Sequence, residues 1–192
     1  MRSKPESRGR ISCMRQPRHL VDGAWYHVTV RANRGEMLLD HAEVRDLFLQ
    51  FLAHARRRYR FEVSNFCVMG NHVHLLLRPY KGECLSAIMR WLLGNFARAY
   101  NKRRGWTGHF WGDRFHSRVL NGIRDFATAF CYIDENPVKA GLVARSVDWR
   151  HGGTWHSIRG REGYLDRASS WIAFLSVTRT LPCGLVRIAL KG

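Results

Sequence analysis

The chain is 192 residues long, with 45% hydrophobic residues and a formal net charge of +17 from 32 Lys and Arg against 15 Asp and Glu. That hydrophobic share supports a real core and excludes a chain that is disordered throughout. The charge excludes an acidic partner-free surface and points to a polyanion, with nucleic acid ahead of an anionic membrane because a dense phosphate array rewards clustered cations by counterion release. Many of the cations are Arg, which suits bidentate phosphate contacts.

Residues 1–20 carry Arg2, Lys4, Arg8, Arg10, Arg15 and Arg18 among Ser, Pro and Gly, and read as a basic flexible arm suited to phosphate contact, with Arg15 and Arg18 as candidate DNA contacts. No apolar signal core is visible in Met1 to Arg18, and no apolar run approaches the roughly 20 residues of a spanning helix. Cys13, Cys67, Cys84, Cys131 and Cys183 show no Cys-x-x-Cys spacing. A disulfide framework or cysteine zinc site is therefore not expected; Cys67 and Cys131 read as core thiols, and the expected setting is cytoplasmic, beside the nucleoid, with no membrane partner.

From Ala24 to Arg31, Tyr26, Val28 and Val30 alternate with Trp25, His27 and Thr29, which predicts a strand. Between His41 and Tyr59, Val44, Leu47, Phe48, Phe51, Leu52 and Ala55 recur at helical spacing, and Arg56, Arg57, Arg58 and Arg60 crowd the end where cations complement the helix dipole. Phe61 to Met69 predicts a second strand. Gly70-Asn71 marks a hairpin, and His72 to Arg78 an antiparallel third strand. Glu83 to Arg104 predicts a second helix, with Leu85, Ile88, Met89, Leu92, Leu93 and Phe96 on one stripe. Arg114 to Leu120 predicts a fourth strand after a loop. The order βαββαβ is the split-βαβ, ferredoxin-like α+β arrangement, one antiparallel sheet with two helices on one face. A third helix is expected from about Arg124 to Asn136, stopped by Pro137. Trp149 to Arg159 reads as an aromatic and basic loop. The chain thus divides into an arm (1–20), a domain (21–160) and an extension (161–192) whose role the sequence leaves open.

Two clusters carry chemistry. His72 and His74 sit two strand steps apart, so both imidazoles share a face and reach one divalent cation. In the third helix Phe126, Ala129, Phe130 and Ile133 form the core stripe, while Asp125, Thr128, Tyr132 and Asn136 form a second one. Tyr132 and Asn136, four apart, are surface neighbours. A metal that polarises a phosphodiester and a tyrosine that attacks it would together cleave DNA. Asn136 would add an oxygen to the two imidazoles, a donor set that suits Mg²⁺ or Mn²⁺. Tyr100 falls on the apolar stripe of its helix and reads as core, as do Tyr26 and Tyr59 by packing. Trp106 is the candidate for base stacking, with Arg31, Arg103, Arg104 and Arg114 as candidate phosphate contacts, and Trp111 is assigned to the core. His109 and His116 read as surface or core groups.

Four blocks in order resemble the REP-associated tyrosine transposases, relatives of the single-tyrosine HUH transposases of the IS200/IS605 group: Tyr26-His27-Val28-Thr29-Val30-Arg31-Ala32-Asn33, Met69-Gly70-Asn71-His72-Val73-His74-Leu75-Leu76, Gly108-His109-Phe110-Trp111-Gly112-Asp113-Arg114-Phe115, and Tyr132-Ile133-Asp134-Glu135-Asn136-Pro137 running on to Val143. The resemblance implies an HUH nuclease fold that cleaves and rejoins single-stranded DNA, with His72, His74 and Asn136 as metal ligands and Tyr132 as nucleophile forming a 5′-phosphotyrosine. It implies imperfect palindromes, folded as hairpins, as substrates, and a monomer or homodimer. Gly112 departs from the pattern, which often has Gln there. Two alternatives stay open on the residues alone: a hairpin-binding protein without catalysis, and a metal phosphodiesterase that uses water.

Overall fold

A computed structural model describes residues 21–160 and 163–166. Arg15, Arg18 and the rest of the arm, with most of the extension, lie outside the described residues.

Four strands form one antiparallel sheet: β1 (Tyr26–Arg31), β2 (Phe61–Val68), β3 (His72–Pro79) and β4 (His116–Val119), in the order β2-β3-β1-β4. Helices α1 (Ala42–Arg58) and α2 (Leu85–Arg104) are the two crossovers. This is the expected ferredoxin-like fold, with β4 beginning at His116 rather than Arg114. Strand alternation divides the sheet into two faces. Tyr26, Val28 and Val30 of β1 and Val73, Leu75 and Leu77 of β3 are buried in one core with Leu47, Phe48 and Leu52 of α1 and Ile88, Leu92 and Phe96 of α2. Tyr100, Phe110 and Trp111 close that core through edge-on ring contacts, and Trp111 Nε1 donates to Leu93 O at 3.0 Å. Tyr26 and Tyr100 are core residues, as their spacing implies.

The other face carries α3 (Gly122–Lys139), whose Phe126, Ala129, Phe130 and Ile133 cover Cys67 of β2 and Leu76 of β3. α3 runs through Pro137 instead of stopping before it. Proline forfeits the bond its own N–H would make and crowds the carbonyl four residues before it, but it sits in the last turn. The turn is closed beyond it by Ala140 N–H to Asn136 O at 3.0 Å and Leu142 N–H to Pro137 O at 2.9 Å, with Gly141 at φ +69°. Asn136 therefore keeps helical geometry.

The segment expected as a loop after Trp149 is also ordered. A 3₁₀ turn at Ser146–Asp148 leads to the short helix α4 (Gly153–Ser157), and Gly152 bridges to Cys67 at the edge of β2. Half-buried Asp134 of α3 holds this segment, accepting hydrogen bonds from Thr154 Oγ1 (2.5 Å) and Ser146 Oγ (2.8 Å). Burial pushes the Asp134 carboxyl up, and the bonds from Thr154 and Ser146 oppose it. The folded body extends to Asp166, whose carboxylate accepts from Val63 N–H at 2.7 Å and pairs with Arg56 at 2.6 Å. Cys67 is a buried free thiol, whose pKa burial raises; Cys131, expected as a second core thiol, is instead disulfide-bonded. No helix among the described residues is long and apolar enough to cross a membrane.

Candidate active site

α3 covers only the β2 and β3 side of its sheet face. The β1 and β4 side stays open, and the strand register fills it with polar groups. Thr29 of β1 lies opposite His74 on one side and His116 on the other; His27 lies opposite Leu76 and Arg118; Arg31 lies opposite His72. His72 and His74 share this face, with ring centroids 4.9 Å apart.

Tyr132 comes down onto the histidines from α3. Its ring meets His74 edge-on at 5.5 Å and His27 at 5.7 Å, and it is 42% exposed. The Lys139 ammonium lies 5.5 Å from the centre of the same ring, two helical turns further on. Asn136 donates Nδ2–H to Tyr132 O at 2.6 Å and hydrogen-bonds the His72 ring with its side chain. The structure thus gathers His72, His74, Tyr132 and Asn136, four residues that the sequence places sixty apart in two groups.

Each imidazole of the pair is fixed at Nδ1. His72 Nδ1 lies 2.6 Å from Asn71 Oδ1. His74 Nδ1 lies 2.9 Å from His27 Nε2 and 3.1 Å from Thr29 Oγ1. With the proton on Nδ1, each ring keeps its lone pair on Nε2, free for a metal. The rings are also held neutral. Burial, followed by the charges of His72, His27 and Arg31, lowers His74 to about 3. Burial, then Arg118 and His116, lowers His27 to about 4. Burial and then Arg31 lower His72, against the hydrogen bond that its ring makes to Asn136. Among the described residues no group of three or more His, Cys, Asp or Glu is arranged to hold a metal. The donors this corner offers are two imidazole nitrogens and an amide oxygen.

A cavity of about 460 Å³ opens beside Tyr132, lined by His27, Thr29, Arg31, His74, His116, Arg118, Thr128 and Ala129. Of the candidate DNA contacts, Arg31 lines it. Arg103, Arg104 and Trp106 do not; they sit at the C-terminal end of α2, where Trp106 is 54% exposed and meets Tyr100 edge-on at 6.0 Å. Arg114 is exposed, two residues before β4. Gly112 N–H donates to Arg31 O at 3.1 Å, and a side chain there would start 3.3 Å from Ala32 O, so glycine suits this close approach. His27, Thr29, His116 and Arg118 escape the sequence reading of the site, whereas Thr128 falls on the stripe that carries Tyr132 and Asn136. The alternation in β1 puts His27, Thr29 and Arg31 on one face, but only the pairing with β3 and β4 shows what that face meets.

The fold is shared with a solved REP-associated tyrosine transposase, in a complex described as bound to a REP hairpin, which superposes with a TM-score of 0.65 at 22% identity, over 79% of this chain and 87% of that one. The family follows from the sequence, because the profile described as "Transposase IS200 like" matches residues 20–136, and the chain belongs to that family. Among curated proteins, it is similar to the REP-associated tyrosine transposase of Escherichia coli K12, at 26% identity over 136 residues, 68% of this chain and 76% of that protein. It is also similar to a candidate REP-associated tyrosine transposase of Haemophilus influenzae Rd, at 27% over 117 residues, 56% of this chain and 64% of that one.

Proposed function

We propose that this protein cleaves and rejoins single-stranded DNA at the foot of a hairpin, through a covalent 5′-phosphotyrosine on Tyr132. The observation that carries the reading is the placement of the Tyr132 ring against His74, with Asn136 turned to His72, on the open face of a strongly basic domain. Hairpin DNA as the substrate is supported by the solved relative, which is described as bound to a REP hairpin.

His72, His74 and Asn136 would hold Mg²⁺ or Mn²⁺. Neutral imidazoles fixed at Nδ1 and an amide oxygen fit a hard ion that keeps open positions for water and phosphate oxygens, whereas zinc would favour more nitrogen or sulfur donors. Such an ion, when bound, polarises the scissile phosphate and offsets charge that develops in transfer. The Tyr132 hydroxyl attacks phosphorus: an Oη–P bond forms, the P–O3′ bond breaks, and the leaving 3′-oxygen takes up the proton that the phenol gives up. The reverse step, with the same or another 3′-hydroxyl, restores a phosphodiester, so no nucleotide cofactor is consumed.

The test uses single-stranded oligonucleotides from the flanks of the protein's own gene, with Mg²⁺ or Mn²⁺. The expected result is a covalent adduct mapping to Tyr132, absent in Tyr132→Phe, with hairpin binding retained. Cleavage retained by Tyr132→Phe would refute the tyrosine mechanism in favour of activated water. Binding without any cleavage by the parent chain would favour a non-catalytic module.

A further inference from the structure

The cavity beside Tyr132 begins at the metal-ligating corner, where His74 and Arg31 line it, and reaches His27 and Arg118. Along α3, Asn136 lies one turn after Tyr132 and faces His72, while Thr128 lies one turn before it and lines the cavity. On the sheet, the register sets Arg31 beside His72, Thr29 between His74 and His116, and His27 between Leu76 and Arg118, so the end of the cavity far from His72 is the one that carries Arg118. Tyr132 therefore stands between the cation donors of His72 and Asn136 and the guanidinium of Arg118.

Those cations lack the partners that others in the fold have. Arg45, Arg56, Arg60, Arg78, Lys139, Arg145 and Arg150 each pair with a carboxylate. Arg31 and Arg118 line the cavity and pair with no carboxylate among the described residues. Both are exposed, and both lie close enough to depress the neighbouring imidazoles. Clustered guanidinium groups without a counter-charge around a concave site are what an anion would neutralise. A cavity of about 460 Å³ exceeds what a bare ion needs and falls in the range that small organic groups fill, roughly 300–1,000 Å³. Its walls include groups that suit the rest of a nucleotide: the imidazoles of His27 and His116 for a base, and Thr128 and Ala129 as polar and apolar neighbours.

We propose that this cavity seats the nucleotide adjoining the phosphate attacked by Tyr132, on the side away from His72 and Asn136, with that nucleotide's own phosphate on Arg118. The inference rests on the DNA-cleaving reading of the site and adds to it which residues grip the strand next to the reacting bond. It also gives His27 two neighbours at once, since one edge of its ring meets His74 and the ring also lines the seat.

The test sets binding data against the position of the adduct. A fluorescent single-stranded oligonucleotide, the tightest binder of the gene-flank set, is prepared with one neutral methylphosphonate at each position in turn. Each version is titrated with the full chain, with Arg118→Ala, and with Arg90→Ala, which removes the same charge from an exposed position on α2. A charge-assisted hydrogen bond to phosphate corresponds to about tenfold or more in affinity. The expected result is that Arg118→Ala weakens the unmodified strand by about tenfold and that one methylphosphonate position, next to the adduct site, costs nothing further in that variant. Arg90→Ala should leave the positional pattern of the parent intact. Losses from Arg118→Ala that add to those from every methylphosphonate would overturn the proposal, as would coupling at a position remote from the adduct. Coupling at one position without any adduct would keep the seat and refute the cleavage reading.

Discussion

Acidification should destabilise this protein through His74 and His27, by an amount that the geometry bounds. In the unfolded chain each ring titrates near the ordinary 6.5; in the folded chain His74 is lowered to about 3 and His27 to about 4. A base whose pKa falls on folding binds fewer protons in the native state, so the penalty is absent well above 6.5 and grows as pH drops from 6.5 toward the folded values. From pH 7 to pH 5 the linkage relation gives about 2 kcal/mol for fully buried His74. His27 is partly open to solvent, and discounting it for screening leaves about 1 kcal/mol. Urea unfolding at pH 7, 6 and 5 in EDTA measures the sum, expected near 3 kcal/mol at most. The sharper readout is the slope: replacing His74 by Gln should lower the pH dependence between pH 6 and 5 by about one proton, or about 1.4 kcal/mol per pH unit. Parent and variant slopes that coincide would refute the placement of His74 as a buried neutral ring.

Removing the partner of His74 Nδ1 should release the ring, so His27→Ala is expected to weaken Mn²⁺ binding about 10- to 100-fold by calorimetry with folding retained. Gly153→Ala places a Cβ 2.2 Å from Asn65 Oδ1 and 3.0 Å from Phe66 N, and should lower the unfolding free energy by about 1–3 kcal/mol. Gly94→Ala, within α2 with nothing inside 4 Å, should instead raise it by about 0.5–1 kcal/mol in the same urea assay. Trp106→Ala should weaken single-stranded DNA binding by about 1–3 kcal/mol in fluorescence titration while leaving the urea midpoint unchanged, because the ring is largely exposed.

The strands and helices of the βαββαβ unit are legible because each buries one face, and burial writes a period of two or of about 3.6 into the sequence. His72 with His74, and Tyr132 with Asn136, are legible for the same reason, since fixed spacing decides which side chains share a face. What escapes is whatever depends on pairing between distant strands. His27 is one of several polar residues on an alternating strand until the register sets it against His74, and Arg118 is a surface cation until it lines the same cavity as Tyr132. The extension of α3 through Pro137 escapes too, because the helix end is decided by the turn that Gly141 closes. The order after Trp149 depends on a carboxylate, Asp134, that lies a helix away.

The two halves of the site belong to parts of the molecule held in different ways. His74 and His27 lie on the central strands β3 and β1, paired on both sides, so their amides should exchange with solvent only when the whole sheet opens. Tyr132 rides on a helix fastened to the sheet by one apolar stripe, to Asn65 by a bond from its Nδ2 to Phe130 O at 3.3 Å, and to the C-terminal segment by the hydroxyls on Asp134. Such a helix can lift as a unit at a lower free energy than global unfolding. Hydrogen exchange would then resolve a two-tier protein, in which the nucleophile departs and returns many times within the lifetime of the histidine pair.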